Sequence, residues 1–127
     1  MLLPPAVLVR GPTALRLALA PGLPVLLLSA PGAACFAGAG WWHALTATAG
    51  HPAALDCADQ PGRALEALAI GCRVLILHPC PAWPSVAART GEATLLTRRP
   101  PALDPDAPGA ARHLLAWLQG DSAGGFG

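Results

Sequence analysis

Short runs of apolar residues recur along the chain, and each run ends at a proline, a glycine or a polar residue. Unbroken apolar runs of this length, bounded by turn residues, are typical of strands that are buried on both faces, as in a parallel sheet. The clearest run is Val74–Leu77, which leads into His78 and a proline-rich exit. The other runs that predict strands are Ala6–Val9, Val25–Leu28, Ala54–Cys57 and Ala93–Thr97.

The segments between these runs have the spacing of helices. Apolar positions 64, 65, 67, 68 and 70 predict a helix that begins near Pro61 and stops at Gly71. Residues 33–48 predict one helix, with positions 36, 41 and 45 on one face and a late start caused by two glycines. A short helix is expected from Ser85 to about Thr90, and another over 109–119 after a proline-rich connection.

An internal repeat indicates the structure of the segment after the first apolar run, whose spacing alone fits either a helix or a strand. When the sequence is shifted by 49 positions, Pro12–Leu28 overlays Pro61–Leu77 without a gap, and 8 of the 17 positions are identical. Chance in so biased a composition would give roughly two identities. Because the second copy has helical spacing, we predict that Pro12–Ala20 is a helix as well, and that the chain contains a duplicated βαβ unit.

Strands and helices therefore alternate about five times. This order predicts a mostly parallel sheet with right-handed crossovers. We expect a three-layer αβα sandwich of the Rossmann- or flavodoxin-like class, formed by residues 1–119 as a single domain and followed by a flexible glycine-rich tail, 120–127. A partial barrel is the alternative, and the pattern does not fix the strand order.

Composition narrows the classes of function. The chain has 127 residues, of which 54% are hydrophobic and 12% charged, with a net charge of +1. This size suits one domain with its own core, and the near-zero charge argues against nucleic acid as a partner. All eight basic residues are arginine, and lysine, asparagine and tyrosine are absent. We interpret this as bias of a bacterial genome.

A long segment without Asp, Glu, Lys or Arg lies between Arg16 and Asp56. Pro21, Pro24 and Pro31 interrupt it, whereas a membrane-spanning helix needs about 20 consecutive apolar residues. We therefore predict strands, loops and helices here, and no membrane insertion. The first 19 residues carry Arg10 inside an apolar stretch and have no compact basic region before it. We expect no signal peptide and a cytoplasmic protein.

The four cysteines, at positions 35, 57, 72 and 80, contain no C-x-x-C pair. This spacing favours neither a zinc ribbon nor a thioredoxin-like motif. In a reducing compartment, isolated cysteines behave as small buried apolar residues. We predict no resident metal or cofactor.

The carboxyl ends of parallel strands meet at one edge of a sheet, where ligands usually bind. The residues that follow the predicted strands form the candidate binding edge: Ser29, Gly32, Cys57, Asp59, His78 and Cys80. Their side chains suggest two further possibilities. The first is a zinc site, because the side chains of zinc ligands are all present in His78, Cys80, Cys57 and Asp59. The second is a nucleophilic thiol, Cys80 or Cys57, activated by His78.

Residues 29–40 form the segment that most nearly resembles a phosphate loop. Its glycines fall at 32, 38 and 40, which matches neither common phosphate-binding pattern. We interpret it as an ordinary strand-to-helix turn.

Neighbouring Trp41 and Trp42 point in directions about 100° apart on a helix, so both cannot face the core. One is expected at the surface, where it predicts an interface and a homo-oligomer. The first hypothesis is therefore a non-catalytic binding or self-association module. The alternative is a small-molecule or anion-binding protein, or a small enzyme, with its site at the carboxyl edge.

Overall fold

The apolar runs form a single parallel sheet in a computed structural model, which describes residues Leu3–Gly120. All five predicted strands are present, and a sixth lies in the proline-rich connection, where sequence patterns gave no signal. The strands are β1 (Ala6–Leu8), β2 (Leu26–Leu28), β3 (Ala53–Asp56), β4 (Val74–Ile76), β5 (Thr94–Leu96) and β6 (Ala102–Leu103).

Within residues 3–120, six helices connect or follow these strands. They are α1 (Pro12–Leu19), α2 (Ala33–Phe36), α3 (Ala39–Thr46), α4 (Pro61–Ile70), α5 (Trp83–Ala87) and α6 (Leu114–Leu118), the last preceded by a 3-10 turn, Ala110–His113. Two predicted helices are broken. The segment 33–48 splits at Gly38, whose φ of +89° ends the first helical turn in a conformation that glycine adopts readily. The predicted helix over 109–119 is half 3-10 turn and half α-helix.

The predicted fold class is confirmed. Every strand pair is parallel, and the helices lie between and after the strands in an α/β arrangement of the Rossmann- or flavodoxin-like kind. The strand order is β5-β4-β3-β2-β1-β6. The two repeat copies correspond to α1 with β2 and α4 with β4, and both helices begin with a proline. The shared helix–strand structure of the copies is therefore confirmed.

The two faces of the sheet are covered differently. One face carries residues such as Val7, Leu27 and Leu55, which pack with the buried residues of the helices. The other face carries a cluster made of strand residues, together with Leu3 and Leu96. That cluster consists of Ala6, Leu26, Leu28, Ala54, Val74 and Ile76. Both faces of the sheet are therefore buried from solvent, as the unbroken apolar runs predict.

The connection from β5 to β6 shows that the sheet is curled. Only residues 97–101 separate two strands that lie at opposite edges of the order. Six Cα steps reach at most about 22 Å, whereas five spacings in a flat sheet cover about 24 Å before any return along the strand. Pro100 and Pro101 lie beside Ala6 and Leu26 around one cavity. The connection therefore runs beside the sheet face that carries Ala6 and Leu26.

No helix in the described part of the chain is long and apolar enough to span a membrane. Of the predicted tail, only Gly120 belongs to the described residues, and 121–127 lie outside them.

Candidate functional site

The exits of β2 and β3 are joined at the carboxyl edge by Ser29. Its backbone N–H donates to the carbonyl oxygen of Ala54 at 3.0 Å, and its hydroxyl oxygen accepts the N–H of Asp56 at 2.9 Å. The same hydroxyl donates to the carbonyl oxygen of Ala30. Ser29 is fully buried, so its hydroxyl links two strands and is not presented to solvent.

A buried ion pair lies beside this link. Asp56 is 1% exposed and Arg99 is 23% exposed at the side chain, and Nη1 of Arg99 lies 2.8 Å from Oδ2 of Asp56. The other carboxylate oxygen accepts the backbone N–H of Ala58 at 2.7 Å. Arg99 belongs to the β5–β6 connection, so this pair ties the connection to the end of the central strand β3.

The backbone after β3 adopts an uncommon conformation. Ala58 has a φ of +52°, in the left-handed region that residues other than glycine seldom occupy. Its carbonyl oxygen accepts the N–H of His78 at 2.8 Å, which joins the exits of β3 and β4. A Cβ on Gly32 would lie 3.9 Å from Cβ of Ala58, at ordinary contact distance, but the φ of +66° at Gly32 favours glycine there.

His78 and Asp59 make local contacts. Nδ1 of the half-buried His78 lies 3.4 Å from the carbonyl oxygen of Thr97. The exposed Asp59 accepts a hydrogen bond from the side chain of its neighbour Gln60 at 3.0 Å. The hydrogen bonds of His78 therefore go to backbone groups of two neighbouring loops, and they tie three strand exits together.

The cysteines of the edge are held in apolar surroundings. Cys57 is fully buried, and burial raises the pKa of its thiol to about 12. Its Sγ lies 3.8 Å from the carbonyl oxygen of Leu55. Cys80 is half-buried and packs against the core. Cys57 is therefore a neutral thiol at neutral pH, and it lacks the lowered pKa that an activated nucleophile needs.

Metal binding finds no support in this geometry. Among the described residues, no group of three or more histidines, cysteines, aspartates and glutamates is arranged to hold a metal ion. The hypothesis of a zinc site requires one such group, made of His78, Cys80, Cys57 and Asp59, and the described residues do not form it.

We expect the four thiols to react at very different rates in the native protein. Cys35 is exposed and Cys80 half-buried, whereas Cys57 and Cys72 are buried and burial raises the pKa of both thiols. A colorimetric thiol titration should therefore show one fast thiol, one slower thiol and two that react only after unfolding. Rapid modification of Cys57, located by peptide mass spectrometry, would contradict the buried site.

An apolar groove opens elsewhere on the carboxyl edge, beside the ends of β1 and β2. Its volume is about 250 Å³, and it is lined by Val9, Arg10, Ala30, Ala33, Phe36 and Trp41. Phe36 is 72% exposed and Trp41 39% exposed, whereas Trp42 is 1% exposed. The prediction that one of the two tryptophans is exposed is confirmed, and it is Trp41. We call this surface the Phe36–Trp41 groove.

Charged groups lie at one side of the groove. Nη1 of Arg10 lies 2.9 Å from a carboxylate oxygen of Asp104 and 3.3 Å from one of Asp106. The hydrogen bond from Arg10 lowers the pKa of Asp104, and the same bond raises the pKa of Arg10. This cluster connects the exits of β1 and β6, which are neighbours in the sheet.

Two features of the carboxyl edge were not predicted from the sequence: the exposure of Phe36 and the pairing of Asp56 with Arg99. Phe36 was expected on the same helical face as Trp41 and Leu45, but the break at Gly38 places it on a separate short helix with its ring in solvent. The pairing of Asp56 with Arg99 spans 43 positions and depends on the strand order. The one signal in the sequence that could have pointed to Asp56 is its place as a carboxylate at the end of a buried apolar strand.

Comparison of the chain with protein-family models, curated proteins and solved structures found no match.

Proposed function

We propose that this protein is a small non-catalytic module that self-associates through the Phe36–Trp41 groove. The observation that carries the proposal is the joint exposure of Phe36 and Trp41 around one apolar cavity. Aromatic residues of this size are costly to leave in water, and they are the side chains most often found as interface anchors.

A second copy of the chain is the partner that the surface suits. A two-fold interface brings the same patch of both copies together, so it must be complementary to itself. The groove offers projecting aromatic rings and an apolar cavity that can receive such a ring. Arg10, Asp104 and Asp106 put charges of both signs beside it, so a two-fold copy can align cations with carboxylates.

We expect Trp41→Ser to weaken self-association at least about tenfold, because central aromatic anchors carry most of an interface's binding free energy. The measurement is sedimentation equilibrium over a wide concentration series. Ile70→Ser is the matched control, because Ile70 is 45% exposed and lies outside the groove. A wild-type chain that stays monomeric at every concentration would contradict the proposal. So would a dimer that Ile70→Ser weakens as much as Trp41→Ser does.

A ligand-binding role of the carboxyl edge is the second candidate. The left-handed conformation of Ala58 favours it, because such backbone strain is concentrated at binding and catalytic sites. Of the six proposed residues, Gly32, Asp59, His78 and Cys80 reach the surface and would contact the ligand. The other two, Ser29 and Cys57, are fully buried and would act only by holding the strand exits in place. A small-molecule screen read out by the NMR signals of Ala58 and His78 separates the candidates. Saturable shifts there, with no change at Trp41, would support this role, and an unresponsive edge would remove it.

A further inference from the structure

The charges beside the Phe36–Trp41 groove do not balance within one copy of the chain. Two carboxylates, those of Asp104 and Asp106, face the single guanidinium of Arg10. Asp104 accepts two hydrogen bonds from that guanidinium, at 2.9 and 3.2 Å, whereas Asp106 accepts one at 3.3 Å. Asp106 is also the more exposed carboxylate, with 62% of its side chain accessible against 36% for Asp104. Asp106 therefore keeps most of its capacity to accept hydrogen bonds from a second partner.

The loop that carries Asp106 is held by short local contacts. The backbone N–H of Asp106 donates to the side chain of Asp104 at 3.0 Å, and the N–H of Ala107 donates to the carbonyl oxygen of Asp104 at 3.1 Å. Pro105, between the two aspartates, is buried. The carboxylate of Asp106 is therefore presented from a backbone that has little freedom to lose on association.

Arg112 supplies an unused positive charge on the same segment. Its side chain is exposed, and its guanidinium makes no ion pair or hydrogen bond within residues 3–120. A Cβ added at Gly109 would lie 2.9 Å from Nη2 of Arg112, so the guanidinium lies against the loop that follows Asp106. One short segment therefore presents an exposed carboxylate and an exposed guanidinium that do not pair with each other.

A two-fold axis suits a segment that carries both charges. In a two-fold interface, whenever one residue contacts a second, the second of that copy contacts the first of the other copy. An axis that passes near Arg10 places both segments at the rim of the groove, with Asp106 of each copy opposite Arg112 of the other. Like charges opposite each other cost free energy, so this register is favoured over one that sets Asp106 against Asp106.

We propose that two equivalent ion pairs, each between Asp106 of one copy and Arg112 of the other, align the second copy on the Phe36–Trp41 groove. This inference rests on the self-association proposed above, and it adds the residues that set the register of the two copies. Exposed ion pairs are screened by salt, so association should also weaken as the ionic strength rises.

The test reverses the two charges separately and then combines the variants. Asp106→Arg makes both groups of each proposed pair positive, and Arg112→Asp makes both negative. Each variant alone should therefore associate at least about tenfold more weakly than the wild-type chain in sedimentation equilibrium. A one-to-one mixture of the two variants restores opposite charges in both pairs. We expect the mixture to form a heterodimer, identified by native mass spectrometry, that regains most of the lost affinity.

Arg89→Asp is the matched control for these variants. It changes the net charge as Arg112→Asp does, and Arg89 is exposed just after α5, outside the groove. It should leave association unchanged, and circular dichroism checks that every variant is folded. A wild-type chain that stays monomeric would overturn the self-association and this inference with it. A wild-type dimer that neither reversal weakens, or weakened variants that the mixture does not rescue, would overturn the ion pairs alone.

Discussion

Replacing Arg99 by alanine should lower the free energy of unfolding by about 3 kcal/mol, because the buried carboxylate of Asp56 then has no charge partner. Asp56 is 1% exposed, and Arg99 is the only side-chain cation within salt-bridge distance of it among the described residues. Urea denaturation followed by circular dichroism measures the loss. In a domain whose total stability is about 5–15 kcal/mol, this is a large fraction.

Arg98→Ala is the matched control for that experiment, because Arg98 is the exposed neighbour in the same connection. It should change the unfolding free energy by less than about 0.5 kcal/mol. The double variant Asp56→Asn with Arg99→Ala should be more stable than the sum of the two single losses implies, because the two side chains are in direct contact. Equal effects of Arg98→Ala and Arg99→Ala would show that the connection is not anchored through Asp56.

Trp42→Ala should cost about 3–5 kcal/mol of stability, the range for truncating a large buried aromatic residue. Trp41→Ala should cost far less, although the two ring centroids are only 6.0 Å apart. Trp42 is among the largest fully buried side chains, whereas Trp41 is 39% exposed. Equilibrium unfolding of both variants checks the difference. Similar losses would mean that Trp41 belongs to the core and is not available to a partner.

The sequence predicted the sheet well because its signal is local. Each central strand is a short apolar run with turn residues on both sides, and burial on both faces requires this pattern. The internal repeat extends the helix prediction from the second copy to Pro12–Ala20, which hydrophobic periodicity alone does not justify, and the observed helix is Pro12–Leu19. Strand β6 has two residues in a proline-rich segment, too few to give a pattern.

The candidate site was less predictable because it depends on long-range geometry. Topology correctly predicts that the exits of β2, β3 and β4 meet, and Ser29 and His78 do bond to neighbouring exits. It does not predict where a side chain points. Whether Phe36 lies in the core or in solvent depends on the backbone at Gly38, and helical spacing assumes an unbroken helix.

Trp41 and Trp42 are adjacent in the chain but lie in different surroundings. Trp41 lines the Phe36–Trp41 groove and is 39% exposed, whereas Trp42 is 1% exposed and belongs to the core. The divergence of about 100° between neighbours on a helix is what separates them. Variants at the two positions should therefore have separable effects, with Trp41 affecting association and Trp42 affecting the free energy of unfolding.

Photo-crosslinking from position 36 tests the central claim most directly. A benzophenone amino acid replaces Phe36, whose ring is 72% exposed and tolerates the change, and the purified protein is irradiated at concentrations where it associates. We predict a covalent dimer whose crosslinked peptide includes Trp41 of the second copy, and no dimer when the same group replaces Ile70. A chain that yields only monomer from position 36, or as much dimer from position 70, would contradict self-association through the Phe36–Trp41 groove.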